Sequence, residues 1–325
     1  MRRLSGIVLG LAASLLLVGA ARAGELTLYT SQPNRIAAET VAAFEKADPG
    51  VHVRVFRSGT TQVMNKLAAE FLAGSPQADV LLIADAMSMQ SLKQQGRLLA
   101  DKGQDVSAFP PDTYDSGRTY FGTKLITTGI VYHKGAPFVP RSWNDLLRPA
   151  ARGQVVLPSP LYSGAAMITA GAFTENPAIG PDYFKKLAAN KAISVSGNGG
   201  VLNQVESGAR DYGIVVDFMA LNAAARGAPV AFVFPKEGVT AVTEPVAILK
   251  TTKNVRDAKA FVAFLLSPAG QEMAARQGFI PARRGVAPPK GFPPVDEISL
   301  MTMDIPRILE DSTRLKRQFA DLFGG

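Results

Sequence analysis

Apolar and polar positions along this chain switch between two periods. Glu25–Thr30, "ELTLYT", repeats every two residues and predicts a strand. "NRIAAETVAAFEKADPG" follows with apolar residues at helical spacing, and its Asp48-Pro49-Gly50 end is a stop signal for a helix. "VHVRVF" returns to period two, and "TQVMNKLAAEFLAG" is helical up to Gly74. Ala78–Asp85, "ADVLLIAD", is the continuous apolar run of a strand buried on both faces, and "MSMQSLKQQG" closes a short helix at Gly96. Strand and helix in strict alternation predict a parallel sheet with crossover helices.

The alternation resumes at Leu125–Gly135, "LITTGIVYHKG", and "SWNDLLRPA" predicts the helix after it. "GQVVLPSP" and "YSGAAMITAGAF" repeat strand then helix. "DYFKKLAAN" is helical, "AISVS" a strand, and "GVLNQVESGA" a helix opened by a Gly-rich turn. "DYGIVVDF" is a strand leading into the helix "MALNAAARG", and "PVAFVFP" and "EPVAILK" are further strands. Helices "VRDAKAFVAFLLS" and "PAGQEMAARQG" and a helical tail end the chain. The pattern gives two α/β sub-assemblies, with Leu125–His133 and Thr243–Lys250 as candidate crossovers.

Composition changes this picture at the N-terminus. Arg2 and Arg3 precede the apolar run Ile7–Ala20, and Ala21-Arg22-Ala23 has the small-x-small form of a cleavage site. Residues 1–23 are expected to be a secretory signal peptide cleaved near Ala23, since the apolar run is too short to span a bilayer. The mature chain then begins near Gly24 or Glu25 in the periplasm. With no cysteine, disulfides, thiolate metal sites and a thiol nucleophile are excluded. The net charge of +8, less Arg2, Arg3 and Arg22, is +5. The basic residues are scattered, without a basic block interleaved with aromatics, which argues against nucleic acid as a partner. A mild positive field suits small anions, or solubility alone.

The chemical motifs of an enzyme are missing. The chain has no G-x-S-x-G elbow, H-E-x-x-H, P-loop or strand-following G-x-G-x-x-G, and "SGNGG" has the glycines without the spacing. Its two histidines, His52 and His133, fall in strand patterns and make a poor source of a metal cluster. The expectation is a binding protein with no cofactor and no resident metal.

The order of elements and the closing "VRDAKAFVAFLLSPAGQEMAARQGFIPARRGV" resemble the periplasmic solute-binding proteins of ABC importers. The likeness is to the two-lobed type that includes ferric-iron, phosphonate, sugar-phosphate and polyamine binders. "LTLYTSQPNRIAAETVAAFEKADPGVHVRV" is similar to that family's opening, "GSPQADVLLIAD" to its third strand and "SWNDLL" to its post-crossover helix. The resemblance implies an α/β, type II two-lobed fold, each lobe a mixed, mostly parallel sheet flanked by helices. It implies a first lobe of residues 24–127 plus 246–325, a second of 128–245, two crossover segments and a ligand cleft between. It also implies a monomer that delivers its ligand to a membrane permease.

In open parallel sheets ligands sit beyond the carboxyl ends of strands, where helix N-termini present unpaired N–H groups. That rule selects Thr30 and Ser31 after the first strand, Ser58, Thr60 and Thr61 after the second, and Asp85 after the third. In the middle portion it selects Tyr162, Ser163, Gly164, Ala165, Asn198 and Asp217, with Glu244 at the second crossover. Ser58–Thr61 reads as an anion site, as a helix cap, or as both. Ser163-Gly164-Ala165 resembles the corner with which iron-binding relatives hold an anion. Ferric-binding relatives carry an adjacent tyrosine pair where this chain has Asp217-Phe218, which disfavours iron. Asp217 and Glu244 suit a ligand ammonium or sugar hydroxyl; a helix cap and a hinge hydrogen bond are the plainer roles. The resulting expectation is a small anionic or zwitterionic ligand, a phosphonate or phosphate ester such as an aminoalkylphosphonate. The alternatives are ferric iron with a synergistic anion, and a polyamine held by Asp85, Asp217 and Glu244.

Overall fold

The computed structural model describes residues 24–293 and 297–324, so the expected signal segment lies outside it. Six elements alternate first: β1 (Gly24–Thr30), α1 (Asn34–Ala47), β2 (Val51–Arg57), α2 (Thr60–Leu72), β3 (Val80–Leu82) and α3 (Ala86–Gln94). α1 buries Ile36, Ala37, Val41 and Phe44, the stripe its spacing predicts, and ends before Pro49. β4 (Tyr120–Gly122) and β5 (Lys124–His133) follow. "SWNDLLRPA" forms two 3-10 turns instead of an α-helix, capped by Ser142 and interrupted at Pro149. Then come β6 (Val155–Pro158), α4 (Gly164–Glu175), α5 (Tyr183–Ala189), β7 (Ile193–Val195), α6 (Asn198–Glu206), β8 (Tyr212–Val216) and α7 (Asp217–Ala225). β9 (Val230–Val233), β10 (Thr240–Val242), β11 (Pro245–Ile248), α8 (Val255–Leu266), α9 (Pro268–Arg276), β12 (Ile280–Pro281) and α10 (Ile305–Phe323) complete the chain.

Two sheets result. The first has the order β2-β1-β3-β11-β4, the second β10-β5-β8-β6-β7 with β9 and β12 also on β5. Among the named strands parallel pairing is confined to β2-β1-β3 and β8-β6-β7, where strands are joined through helices. β5 and β11 pair antiparallel with all their neighbours, so the sheets are mixed rather than mostly parallel. These are the strands that enter each sheet from the other, so passage rather than a crossover helix sets their direction.

The exchange of sheets is narrower than the expected crossovers. β4 ends in the first sheet at Gly122 and β5 begins in the second at Lys124; β10 and β11 change sheets at Thr243-Glu244. The two passages touch: Thr123 N–H donates to the Thr243 carbonyl at 3.0 Å, and the Thr123 hydroxyl to the Glu244 carbonyl at 2.9 Å. Glu244 turns the chain there with φ +36°, the left-handed region that a side chain seldom adopts.

α8 returns to the first sheet, where Phe261 meets Phe44 edge to face at 5.0 Å between ring centroids, and α9 packs on α8 and β12. The tail, expected in the first lobe with the whole segment after Val246, touches both layers: α10 lies against α3 of the first layer as well as against the second. Val239 of the second layer bonds Ser299 and Met301, and α10 lies against α4. Ile308, Leu315 and Phe319, spaced seven and four residues apart, form the buried stripe that holds α10 there. Each such fully buried side chain contributes roughly 1.5–3 kcal/mol. Among the described residues no helix is long and apolar enough to cross a membrane.

Candidate functional site

Between the two sheets lies a cleft of about 370 Å³. Its walls are helix starts. Asn34 of α1, Gly59 and Thr60 of α2, and Ala84 before α3 come from the first layer; Tyr162–Ala165 of α4, Ser196–Gly200 of α6, and Val216, Phe218 and Met219 of α7 come from the second. Ile126 and Glu244 line it from the passage between sheets.

The capping of these helices decides the electrostatics. α1, α2 and α6 begin at Pro33, Gly59 and Gly197, with no side-chain cap and no acidic residue in the first turn. The first N–H groups of a helix lack intrahelical partners, and the peptide dipoles add positive potential at that end. Three such ends aimed at one cleft form an anion-attracting wall. α4, by contrast, is capped: the Ser163 hydroxyl accepts from Ala166 N–H at 3.3 Å and from Asn198 Nδ2 at 3.2 Å. Asn198 in turn accepts the Val216 N–H through Oδ1 at 3.2 Å, tying the α4, α6 and α7 starts together.

Arg57, the last residue of β2, supplies the one cationic side chain among the described lining residues. Its Nε donates to the Gln32 carbonyl at 2.7 Å and its Nη1 to the Tyr162 hydroxyl at 3.3 Å. Tyr162 thereby reaches from the second layer to the first. Thr61 N–H donates to the Tyr162 carbonyl at 3.4 Å, and Gln62 Nε2 to the Leu161 carbonyl at 3.5 Å. A Cβ on Gly164 would stand 2.7 Å from Asp85 Cβ and 2.8 Å from the Ala84 carbonyl, so glycine lets α4 approach the first layer this closely.

Of the residues selected from sequence, Ser31, Thr60, Tyr162, Ser163, Gly164, Ala165, Asn198 and Glu244 line the cleft. The Thr60 hydroxyl makes no hydrogen bond among the described residues, whereas Ser31 Oγ accepts Ala84 N–H at 3.0 Å. Thr30, Ser58, Thr61, Asp85 and Asp217 stand outside the lining. Thr30 is fully buried and donates to the Leu82 carbonyl at 2.7 Å, stitching β1 to β3. Ser58 pairs backbone to backbone with Thr30, and Thr61 acts through its N–H as described. The cap of α2 is Gly59, so neither hydroxyl beside it caps the helix.

The acidic set is dispersed into protein–protein contacts. Asp85 caps α3, accepting Met87 N–H at 2.8 Å and the Ser88 hydroxyl, and burial raises its carboxyl above the usual range. Asp217 Oδ2 accepts the Thr127 N–H at 2.9 Å and its hydroxyl at 2.7 Å, while Oδ1 accepts Phe218 N–H. Burial pushes Asp217 up to about 6 against these lowering hydrogen bonds. Glu244 Oε2 forms an ion pair with Lys124 Nζ at 2.6 Å and accepts from Gln32 Nε2 at 3.1 Å. These three carboxylates do not converge on a cation. Phe218 lies on Phe279 with ring centroids 4.2 Å apart, an apolar contact at the cleft floor.

Sequence reasoning missed Arg57 and Lys124. Arg57 sits where the strand-end rule points, one residue inside the strand instead of beyond it. Lys124 carries no local signal.

The chain matches the family model for bacterial extracellular solute-binding proteins over residues 29–272. It is 30% identical over 246 residues to the sulfate-binding protein of Escherichia coli K12, covering 70% of this chain and 69% of that one. Among solved structures it is similar to the periplasmic binding protein AfuA of Actinobacillus pleuropneumoniae with exogenous fructose-6-phosphate bound. That likeness has a TM-score of 0.83 at 24% identity, over 92% of this chain and 98% of that one. Iron-bound HitA of Pseudomonas aeruginosa shares the fold with a TM-score of 0.79 at 22% identity, over 91% of this chain and 99% of that one.

Proposed function

The chain belongs to the bacterial extracellular solute-binding proteins, and from that premise we propose that it is the periplasmic receptor of an ABC importer for a small organic phosphate or phosphonate. The observation that carries this reading is the convergence of the uncapped N-termini of α1, α2 and α6 with Arg57 on one cleft. Tetrahedral oxyanions accept several hydrogen bonds at once, and backbone N–H groups at helix starts supply them without added charge. The relatives named for sulfate and for fructose-6-phosphate lend support from the same chemistry.

An organic body is favoured over a bare oxyanion. The cleft volume lies in the usual range of small-molecule sites, about 300–1,000 Å³, and Ile126, Val216, Phe218 and Met219 give it an apolar side. Closure of the two lobes on the ligand would be a hinge motion at Thr123 and Thr243-Glu244, stabilised by contacts from both layers. The protein would act after removal of residues 1–23, as a monomer handing its ligand to a membrane permease.

Ferric iron is the second reading, supported by the fold of HitA and opposed by Asp217-Phe218, both buried and held within the protein. A thermal-shift series on the purified mature chain separates the two. Hexose phosphates or alkylphosphonates should raise the midpoint, since a ligand that binds only the folded state stabilises it. A rise with ferric citrate alone, and none with any organophosphorus compound, would replace this reading with the iron one.

A further inference from the structure

Beside the cleft, where the chain passes between the sheets, stands a buried ion pair. Lys124 opens β5 and Glu244 joins β10 to β11, so the pair ties together the two passages between sheets. Both side chains are 3% exposed, and Lys124 Nζ also lies 4.2 Å from the centre of the Phe279 ring. Glu244 nevertheless lines the cleft. Its Oε2 holds Lys124 and Gln32, while its Oε1 makes no hydrogen bond among the described residues.

We infer that Lys124 is a selectivity-determining positioning residue: by neutralising Glu244 it turns the one carboxylate among the described lining residues into an acceptor for an uncharged hydroxyl and removes its attraction for a ligand ammonium. The inference rests on the organophosphorus reading and narrows it to hydroxylated ligands, away from the aminoalkylphosphonate suggested by sequence. An isolated carboxylate at this depth would favour a cation, because low surrounding polarisability magnifies its field. With an ammonium at 2.6 Å the pair is close to neutral, and a second ammonium brought to Oε1 meets the Lys124 charge through one carboxylate. A hydroxyl donates to the same oxygen without that repulsion. Gln32 and Lys124 fix the carboxylate so that Oε1 is the oxygen presented, which is why Lys124 acts through Glu244 and not on the ligand itself.

The test uses matched ligands that differ only in this group: hydroxyethylphosphonate against aminoethylphosphonate, and glucose phosphate against glucosamine phosphate. Affinities are measured by calorimetry on the full mature chain. The wild type should prefer the hydroxyl member by about tenfold, the size of one charge-assisted contact. Lys124→Met should reverse the preference within a pair, a change that a purely structural role would not produce. Because Lys124→Met leaves Glu244 buried without its partner and can unfold the chain, the double variant Lys124→Met/Glu244→Gln removes both charges. With neither charge present it should discriminate within a pair far less than the wild type and should not show the reversal expected of Lys124→Met; a reversal in the double variant as well would overturn the inference. Equal wild-type affinities within each pair, or a wild type that prefers the amine, would overturn the inference while leaving the organophosphorus reading in place. Binding of neither pair would remove both.

Discussion

The ring of Tyr162 lies directly against Gly59, the N-cap of α2 on the opposite layer: a Cβ at position 59 would stand 2.7 Å from Tyr162 Cδ1 and Cε1. The same ring faces Gly197, the N-cap of α6, where a Cβ would stand 3.0 Å away. One aromatic side chain is thus seated between two helix starts that have no side-chain cap. Glycine at both positions leaves room for the ring.

Gly59→Ala should therefore hinder closure of the cleft, since a contact under 3.0 Å forces the ring or the helix to move. The expected result is a weaker affinity for the ligand found by thermal shift, and a larger radius of gyration by X-ray scattering in its presence. Tyr162→Ala in the same chain should relieve the overlap and restore the closed radius. Wild-type affinity in Gly59→Ala alone would show that the ring yields without cost.

Arg57→Gln removes the cleft cation while leaving a side chain able to reach the Gln32 carbonyl. A hydrogen bond to a charged group contributes about 1.5–3 kcal/mol, so affinity for an oxyanion ligand should fall roughly 10- to 100-fold. Arg57 is half-buried at a strand end, and the unfolding midpoint without ligand should hardly change. An unaltered dissociation constant would take Arg57 out of the site.

Asp217 should make stability depend on pH. Burial raises its carboxyl from 3.8 to about 6, so the folded chain holds this proton more tightly than the unfolded one. The contribution is complete below the unfolded value and is lost as pH rises through the folded one. Between about pH 4 and pH 7 the wild type should lose up to about 3 kcal/mol relative to Asp217→Asn, which has no proton to release. Thermal midpoints of the two chains across that range give the difference directly, and a constant difference would contradict it.

Gly171 of α4 tests the placement of the tail. A Cβ there would stand 2.5 Å from Ile308 Cγ2 of α10, so Gly171→Ala should overpack the contact and cost about 1–3 kcal/mol. Ile308→Ala in addition should recover part of that loss. If Gly171→Ala leaves the denaturation midpoint unchanged, α10 does not pack on α4 as described.

Much of this protein follows from its sequence alone. The change between periods two and 3.6 set the order of strands and helices, because burying one face of each element requires that spacing whatever it packs against. The strand-end rule then reached Ser31, Thr60, Tyr162 to Ala165 and Asn198, since a βα unit fixes where its own turn must lie. What tertiary structure alone decided is the charge. Asp217 meets Thr127 across 90 positions, and Gln32 meets Glu244 across 212. Lys124 neutralises Glu244 because two passages between sheets run side by side. A side chain's partners depend on which strands become neighbours, and no local pattern records that; whether a carboxylate faces ligand or protein is settled only when the sheets are assembled.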